Sequence, residues 1–144
     1  MNTSAAINAY NKVNVESNVT GADPHKLISM LYEGALLSIA KAKNGIKRND
    51  IPVKSEAIFK TSRIITEGLV ASLDMKAGGA LAENLASLYA YMIKRLATAN
   101  MNNDVVILDE VSNLLSGLKD AWDSIRPTVN KMAVKSPIQS AQQI

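Results

Sequence analysis

The chain has 144 residues, a net charge of +3, no cysteine and one histidine. This length corresponds to about one domain, which can bury a core without disulfide bonds. The absence of cysteine excludes disulfides and thiolate metal sites. The N-terminus lacks the basic and apolar regions of a signal peptide, and no apolar run approaches the roughly 18 residues that span a membrane. We therefore expect a soluble, cytoplasmic protein without a membrane span.

The densest basic cluster consists of Lys41, Lys43, Lys47 and Arg48. Cations are favourable near the C-terminal carbonyls of a helix, which is where this cluster falls. No aromatic residues alternate with the lysines, as they do in single-strand nucleic-acid surfaces. We therefore predict no nucleic-acid binding.

Residues 1–22 are polar, and their isolated apolar residues include Ile7 and Tyr10, three positions apart. One helical turn would place both on the same side, but so short a segment does not form a stable helix alone. It must either dock on the rest of the chain or stay mobile. We predict a mobile N-terminal segment or cap over 1–22, with a short helical segment, a folded body over 23–127, and a weakly ordered tail over 128–144.

Two long helices are predicted in the first half of the body. The first begins at the cap pair Asp23-Pro24, and the second begins near Ile51-Pro52. Apolar residues recur in steps of three and four, as on the buried face of a helix. These residues are Ile28, Leu31, Ala35, Ile39, Ala42 and Ile46 in the first helix, with Leu27, Met30 and Leu37 widening the stripe, and Ile58, Ile65, Leu69 and Leu73 in the second.

Two more helices follow a break over 74–79. Asp104 is the predicted cap of the fourth helix, and Pro127 stops it. Their stripes are Leu81, Leu85, Leu88, Met92 and Leu96, then Val111, Leu115, Leu118, Trp122 and Ile125. Short connections make sequential helices antiparallel neighbours. The predicted fold class is all-α, an antiparallel four-helix bundle.

Catalytic patterns are missing from the sequence. His25 falls in the first turn of a predicted helix, where a structural role is expected. Asp109 and Glu110 are adjacent and diverge by about 100° on a helix, so they form no catalytic pair. The glycines at 78 and 79 fit no phosphate-binding motif. We therefore expect a binding protein without catalytic residues, cofactor or metal.

Three aromatic residues leave different readings open. Tyr89 and Tyr91 point to different sides of the third helix, and each fits either the boundary of the bundle or a binding surface. Trp122 follows the stripe of the fourth helix and is predicted to lie in the core.

The sequence resembles the flagellar secretion chaperones of the FliS family from about Ile7 to Ile125. The segments that carry this resemblance, in order, are Ala9-Tyr10, residues 23–35, Ile64-Ile65, Gly68-Leu69, Leu73-Asp74, Gly78-Gly79, residues 84–92, Ala99-Asn100 and Ala121-Trp122. Each segment is weak alone, but their order and spacing within one short helical chain are specific.

The resemblance implies a cytoplasmic chaperone that binds the C-terminal segment of flagellin, prevents premature polymerisation and helps deliver it to the flagellar type III export apparatus. It also implies that the N-terminal segment covers part of the client site in the free protein. The candidate client-binding and capping residues are Ile7, Tyr10, Ile58, Ile65, Leu69, Tyr89 and Tyr91. Members of such chaperone families are often acidic, whereas this chain is slightly basic, so we expect an apolar interface with modest salt dependence.

The sequence is also compatible with two other classes of function. A helical regulator would bind an anti-sigma factor or an export-gate component through the same groove. A bundle enzyme or metal protein is the third class. A monomer or a weak homodimer is expected, because an exposed groove can also self-associate.

Overall fold

The computed structural model describes residues 23–125, and all the secondary-structure elements in this range are helices. The segment 1–22 and the tail 128–144 lie outside the described residues. The elements are α1 (Pro24–Lys47), α2 (Ile51–Arg63), the π-helical stretch (Ile64–Val70), α3 (Met75–Asn102) and α4 (Val105–Ser124). Helix α2 continues directly into the π-helical stretch. The predicted all-α class with four helices is confirmed.

Each of the four helices begins directly after an aspartate. The side-chain oxygen of this residue accepts a hydrogen bond from the backbone N–H three positions later, at 2.7 to 3.2 Å. A cap of this kind stabilises a helix by about 1 kcal/mol. Asp23 and Asp104 are predicted caps, whereas Asp50 and Asp74 are predicted only as parts of the breaks between helices.

Sequential helices are antiparallel. Helices α1 and α3 each pack against both α2 and α4. At the end where α1 begins and α4 ends, called the terminal end below, His25 contacts Trp122. At the opposite, distal end, Lys43 pairs with Asp109 at 2.5 Å. Both chain segments outside the described range therefore join the bundle at its terminal end.

The core lies between the four helices and is almost entirely aliphatic. Most of the predicted stripe residues are buried in it, and Trp122 is buried as predicted. Burying one large apolar side chain stabilises the fold by roughly 1.5–3 kcal/mol relative to leaving it in water. These residues are therefore the main source of stability. The fully buried members include Leu27, Leu31, Ile39, Ile64, Ile65, Met92, Leu96, Leu108, Val111 and Leu115.

Three predicted stripe residues are instead exposed. Leu37 is 67% exposed, because α1 meets its neighbours on two faces and Leu37 lies on the third. Leu81 is 51% exposed, since Gly79, with φ 51° and ψ −130°, interrupts α3 just before it. Ile125 is exposed because its extended backbone takes it off the helical stripe.

Helix α2 approaches α1 closely where the π-helical stretch passes Leu31. A Cβ on Gly68 would lie 2.8 Å from a terminal methyl carbon of Leu31. Any larger residue would therefore push the two helices apart or displace Leu31. The absence of a side chain at position 68 sets the spacing of this helix pair.

Candidate functional site

Tyr89, a predicted site residue, lies inside the bundle. Its hydroxyl is 2.6 Å from the hydroxyl of Tyr32, and this hydrogen bond joins α1 to α3 across the core. Both side chains are buried. Burial disfavours the charged phenolate and raises the pKa of both tyrosines above the ordinary value of 10.0. The pair acts as a neutral polar link within an apolar interior.

The predicted site residues of the α2 segment also lie in the core. Ile58, Ile65 and Leu69 are buried against the other helices. A bound partner would reach them, or Tyr89, only if the helices separated, so they line the bundle from within. Ile7 and Tyr10 lie outside the described residues, and the role of the whole set in binding stays a prediction.

Tyr91 is exposed and belongs to a polar cluster between α3 and α4. Its hydroxyl donates to the Glu110 carboxylate, which also accepts from Nε of Arg95 at 2.8 Å. These two hydrogen bonds lower the pKa of Glu110. The hydrogen bond to Glu110 in turn raises the pKa of Tyr91, with a smaller contribution from the charge of Glu110. The cluster holds the Tyr91 ring at the surface in one orientation.

The contacts of Tyr91 and Arg95 with Glu110 also set the register of α3 against α4. The two helices are antiparallel, so equal numbers of residues counted back along α3 and forward along α4 reach the same level. Counted from the midpoint of Tyr91 and Arg95, Leu85 lies level with Leu118, and Leu88 lies within one residue of the level of Leu114. Leucines thus line both sides of the α3–α4 junction below the polar cluster.

Five leucines along this junction form an apolar surface that we call the α3–α4 strip. Leu81 is exposed, and the other four are partly buried against the core. Gly117 borders the strip, and a Cβ there would meet no atom within 4 Å. The strip is therefore open on its α4 side and can accept an apolar side chain from outside. Its members are Leu81, Leu85, Leu88, Leu114 and Leu118.

Phe59 was missed in the sequence as a surface residue. It is 69% exposed on α2, directly after the buried Ile58. The signal was present, because a residue next to a stripe position is turned about 100° away from it. Phe59 is also the only phenylalanine of the chain. Its exposed ring gives the bundle a second apolar surface, on another helix from the strip.

Within residues 23–125, no group of three or more His, Cys, Asp or Glu side chains is placed to hold a metal ion. None of the helices described there is long and apolar enough to cross a membrane.

Comparison with known proteins identifies the family of the chain. The family model described as flagellar protein FliS matches residues 6–129. The chain belongs to the FliS family. The resemblance noted in the sequence is thereby confirmed.

Several FliS-family relatives are flagellar secretion chaperones. FliS of Salmonella typhimurium is 45% identical over 127 residues, which cover 88% of this chain and 94% of the relative. FliSB of Pseudomonas aeruginosa is 46% identical over 120 residues, covering 83% and 94%. FliS of Bacillus subtilis is 33% identical over 107 residues, covering 74% and 78%. The relatives are thus chaperones, which are not a class of enzymes.

The FliS family match spans all the features described above. The α3–α4 strip, the Tyr91 cluster and Phe59 all lie within residues 6–129. Within the described residues, the strip brings several large apolar residues together along one helix junction, and we take it as the candidate functional site.

Proposed function

We propose that the chain is a cytoplasmic flagellar export chaperone that binds the C-terminal segment of flagellin. Binding would prevent premature polymerisation and assist delivery to the flagellar type III export apparatus. The proposal rests on family membership together with one structural observation, the α3–α4 strip. It involves no catalytic step.

The strip has the character of a surface for an amphipathic helix. A contiguous apolar surface on a small protein marks an interaction site, and here one leucine is exposed and the other four are partly exposed. A helical ligand places its anchors at i, i+3, i+4 and i+7. From Leu81 to Leu88 the strip extends about 10 Å, and the flanking open space at Gly117 adds room for a side chain. A client segment with aliphatic anchors fits this surface.

The Tyr91 cluster supplies the polar edge of the proposed interface. Tyr91 is held by Glu110, so little of its rotamer freedom remains to be lost when a client binds. Tyrosines with an apolar ring and a polar tip are frequent at such edges. Most of the binding free energy would come from the leucines, which agrees with modest salt dependence.

The N-terminal segment is proposed to cover part of the client site in the free protein. The segment joins α1 at Asp23, at the terminal end of the bundle. Ile7 and Tyr10 would occupy a part of that site beside the α3–α4 strip and be displaced by the client. Replacing both by alanine would then strengthen client binding without lowering the melting temperature.

Export-gate components and an anti-sigma factor are proposed as further partners. Phe59 is exposed on α2, and Leu37 is exposed on α1, both away from the strip. A partner could contact either residue while a client occupies the strip. Pull-down with Phe59→Ser from cells without flagellin would separate this surface from the client site.

The direct test is calorimetric titration with a synthetic flagellin C-terminal peptide. Leu81→Ser should weaken binding roughly tenfold, because anchor residues contribute one to two kcal/mol or more. Leu37→Ser is the matched control, since it removes an equally large exposed leucine from α1. If the unmodified chain shows no binding at tens of micromolar peptide, or if both variants weaken it equally, the proposal fails.

A further inference from the structure

The charges of the chain are unevenly distributed. Residues 23–125 contain twelve basic and twelve acidic residues, so the folded body is neutral. Residues 1–22 contain one of each, Lys12 and Glu16. The net charge of +3 therefore resides entirely in residues 126–144, which contain Arg126, Lys131 and Lys135 and no acidic residue.

The body itself is polarised along its axis. Contacts between helices set the level of its midpoint: Leu31 lies beside Gly68, and Tyr32 beside Tyr89. The terminal half then comprises 23–35, 64–92 and 116–125. It carries three basic residues, Lys26, Lys76 and Lys119, against seven acidic residues, Asp23, Glu33, Glu67, Asp74, Glu83, Asp120 and Asp123. The distal half carries nine basic and five acidic residues.

The basic tail thus leaves the bundle at its acidic end. Charged segments are attracted to surfaces of opposite sign over about a Debye length, or 8 Å at physiological ionic strength. The tail also contains Val129, Met132, Val134 and Ile138 among its polar residues. It begins directly after Ile125, which the α3–α4 register places near the Leu81 end of the strip.

The length of the tail matches this surface. Ile138 lies twelve positions beyond Arg126, and a random-coil chain of twelve residues has a mean span of about 20 Å. Along α4, the distance from Ile125 back to Leu114 is about 16 Å. The tail therefore reaches every residue of the strip, and its attachment keeps its local concentration high, near millimolar for short linkers.

We propose that residues 126–144 dock on the acidic terminal half of the same molecule and place their apolar residues on the α3–α4 strip. The tail is then an intramolecular competitor of the client. As regulation of the client site this inference rests on the proposed function, whereas the docking itself does not require any client.

Docking is tested by paramagnetic NMR on the full chain, which has no cysteine to interfere with labelling. A nitroxide attached at Ile138→Cys should reduce the amide signals of Leu85 and Leu118 at low salt, and leave those of Phe59 unchanged. The effect should disappear in Lys131→Glu/Lys135→Glu. Lys41→Glu/Lys47→Glu is the matched control, because it changes net charge equally at exposed positions of the distal end and should retain the effect.

Three results would overturn the proposal. The amide signals of Leu85 and Leu118 could stay unchanged, the signal loss could occur at the distal end instead, or both charge variants could show the same signal loss. Signal loss in a mixture of labelled and isotope-enriched molecules would assign the docking to a second copy and reject the intramolecular form. Adding the flagellin peptide should restore the Leu85 and Leu118 signals. A peptide that binds without restoring them contradicts competition, whereas a peptide that does not bind refutes only the proposed function.

Discussion

His25 and Trp122 form a reciprocal contact that closes the terminal end of the bundle. The indole N–H of Trp122 donates to the backbone carbonyl of His25 at 2.8 Å, and Nε2 of His25 donates to the backbone carbonyl of Trp122 at 2.8 Å. The rings are stacked with centroids 4.8 Å apart. A carbonyl can only accept, so the Nε2 atom carries the proton. The structural role predicted for His25 is this contact.

Replacement of His25 by alanine should lower the free energy of unfolding by about 1–3 kcal/mol, because one hydrogen bond and one ring contact are lost. Urea unfolding followed by circular dichroism measures this change. Trp122, the only tryptophan, should also fluoresce at longer wavelength. His25→Phe retains the stacking and should recover part of the stability; an equal loss in both variants would show that stacking contributes nothing.

The Tyr32–Tyr89 pair predicts a loss of stability at high pH. Burial raises the pKa of both hydroxyls in the folded state, whereas in the unfolded chain they ionise near pH 10. The contribution of the neutral hydroxyls to folding stability is complete below pH 10. Above it, the free energy of unfolding falls by at most about 1.4 kcal/mol per pH unit for each tyrosine, until the pH reaches the folded-state pKa of that tyrosine. Free energies of unfolding measured between pH 8 and 11 check this expectation. The lower limit lies about two units below the pKa of an unfolded tyrosine, and the upper limit about one unit above it.

The control for this prediction is Tyr32→Phe/Tyr89→Phe, which removes both buried groups. Its stability should depend less steeply on pH than that of the unmodified chain. Each single variant should cost more than half of the double variant, because it leaves the other hydroxyl buried without its partner. A profile that is equally steep in the double variant would attribute the alkaline loss to other groups.

Lys54 is buried at the distal end and joins α2 to the end of α3. Its amine donates to the carbonyl oxygen of Asn100 at 2.8 Å and to Oδ1 of Asn103 at 2.7 Å. Lys54→Met should lower the free energy of unfolding by about 1–3 kcal/mol, because these acceptors lose a charged donor. Lys60→Met, at a half-buried position on α2, should change it by less than about 0.5 kcal/mol.

Two glycines predict opposite effects of added side chains. Gly117 is helical and exposed, and a Cβ there meets no neighbour, so Gly117→Ala should stabilise the chain by about 0.5–1 kcal/mol. Gly79 also has open space but has φ 51°, so Gly79→Ala should cost about 1–3 kcal/mol in backbone strain. Thermal unfolding of both variants measures the difference, and a stabilising Gly79→Ala would show that the interruption of α3 is not required.

The helices and most of their buried faces followed from the sequence, because the 3.6-residue period was strong on all four. Leu37 was not predictable in this way, since the stripe of α1 does not show where its two neighbours end. Leu81 depended on the backbone at Gly79. These failures share a cause: periodicity gives the direction of burial, whereas exposure depends on the arrangement of neighbouring helices.

The candidate site was less predictable than the fold. Ile58, Ile65 and Leu69 were selected as apolar residues of one stripe, and that regularity is what places them in the core. The α3–α4 strip consists of residues that the sequence placed on core stripes, such as Leu81 and Leu118, whereas Phe59 lies outside every stripe. The hydrogen bonds of Tyr91 required the register of α3 against α4, which no single-helix pattern contains.

The π-helical stretch that continues α2 changes the direction in which the side chains after it point. A π-helical turn closes its hydrogen bond one residue later than an α-helical turn, so the residues beyond Val70 are rotated by about one residue, or 100°, relative to a continuous α-helix. Deletion of the exposed Thr66 would remove this extra residue. Leu73, buried three residues after the stretch, would then turn toward solvent and Asp74 would lose its position as the cap of α3. The extra residue in the π-helical stretch thus sets the direction in which α3 begins.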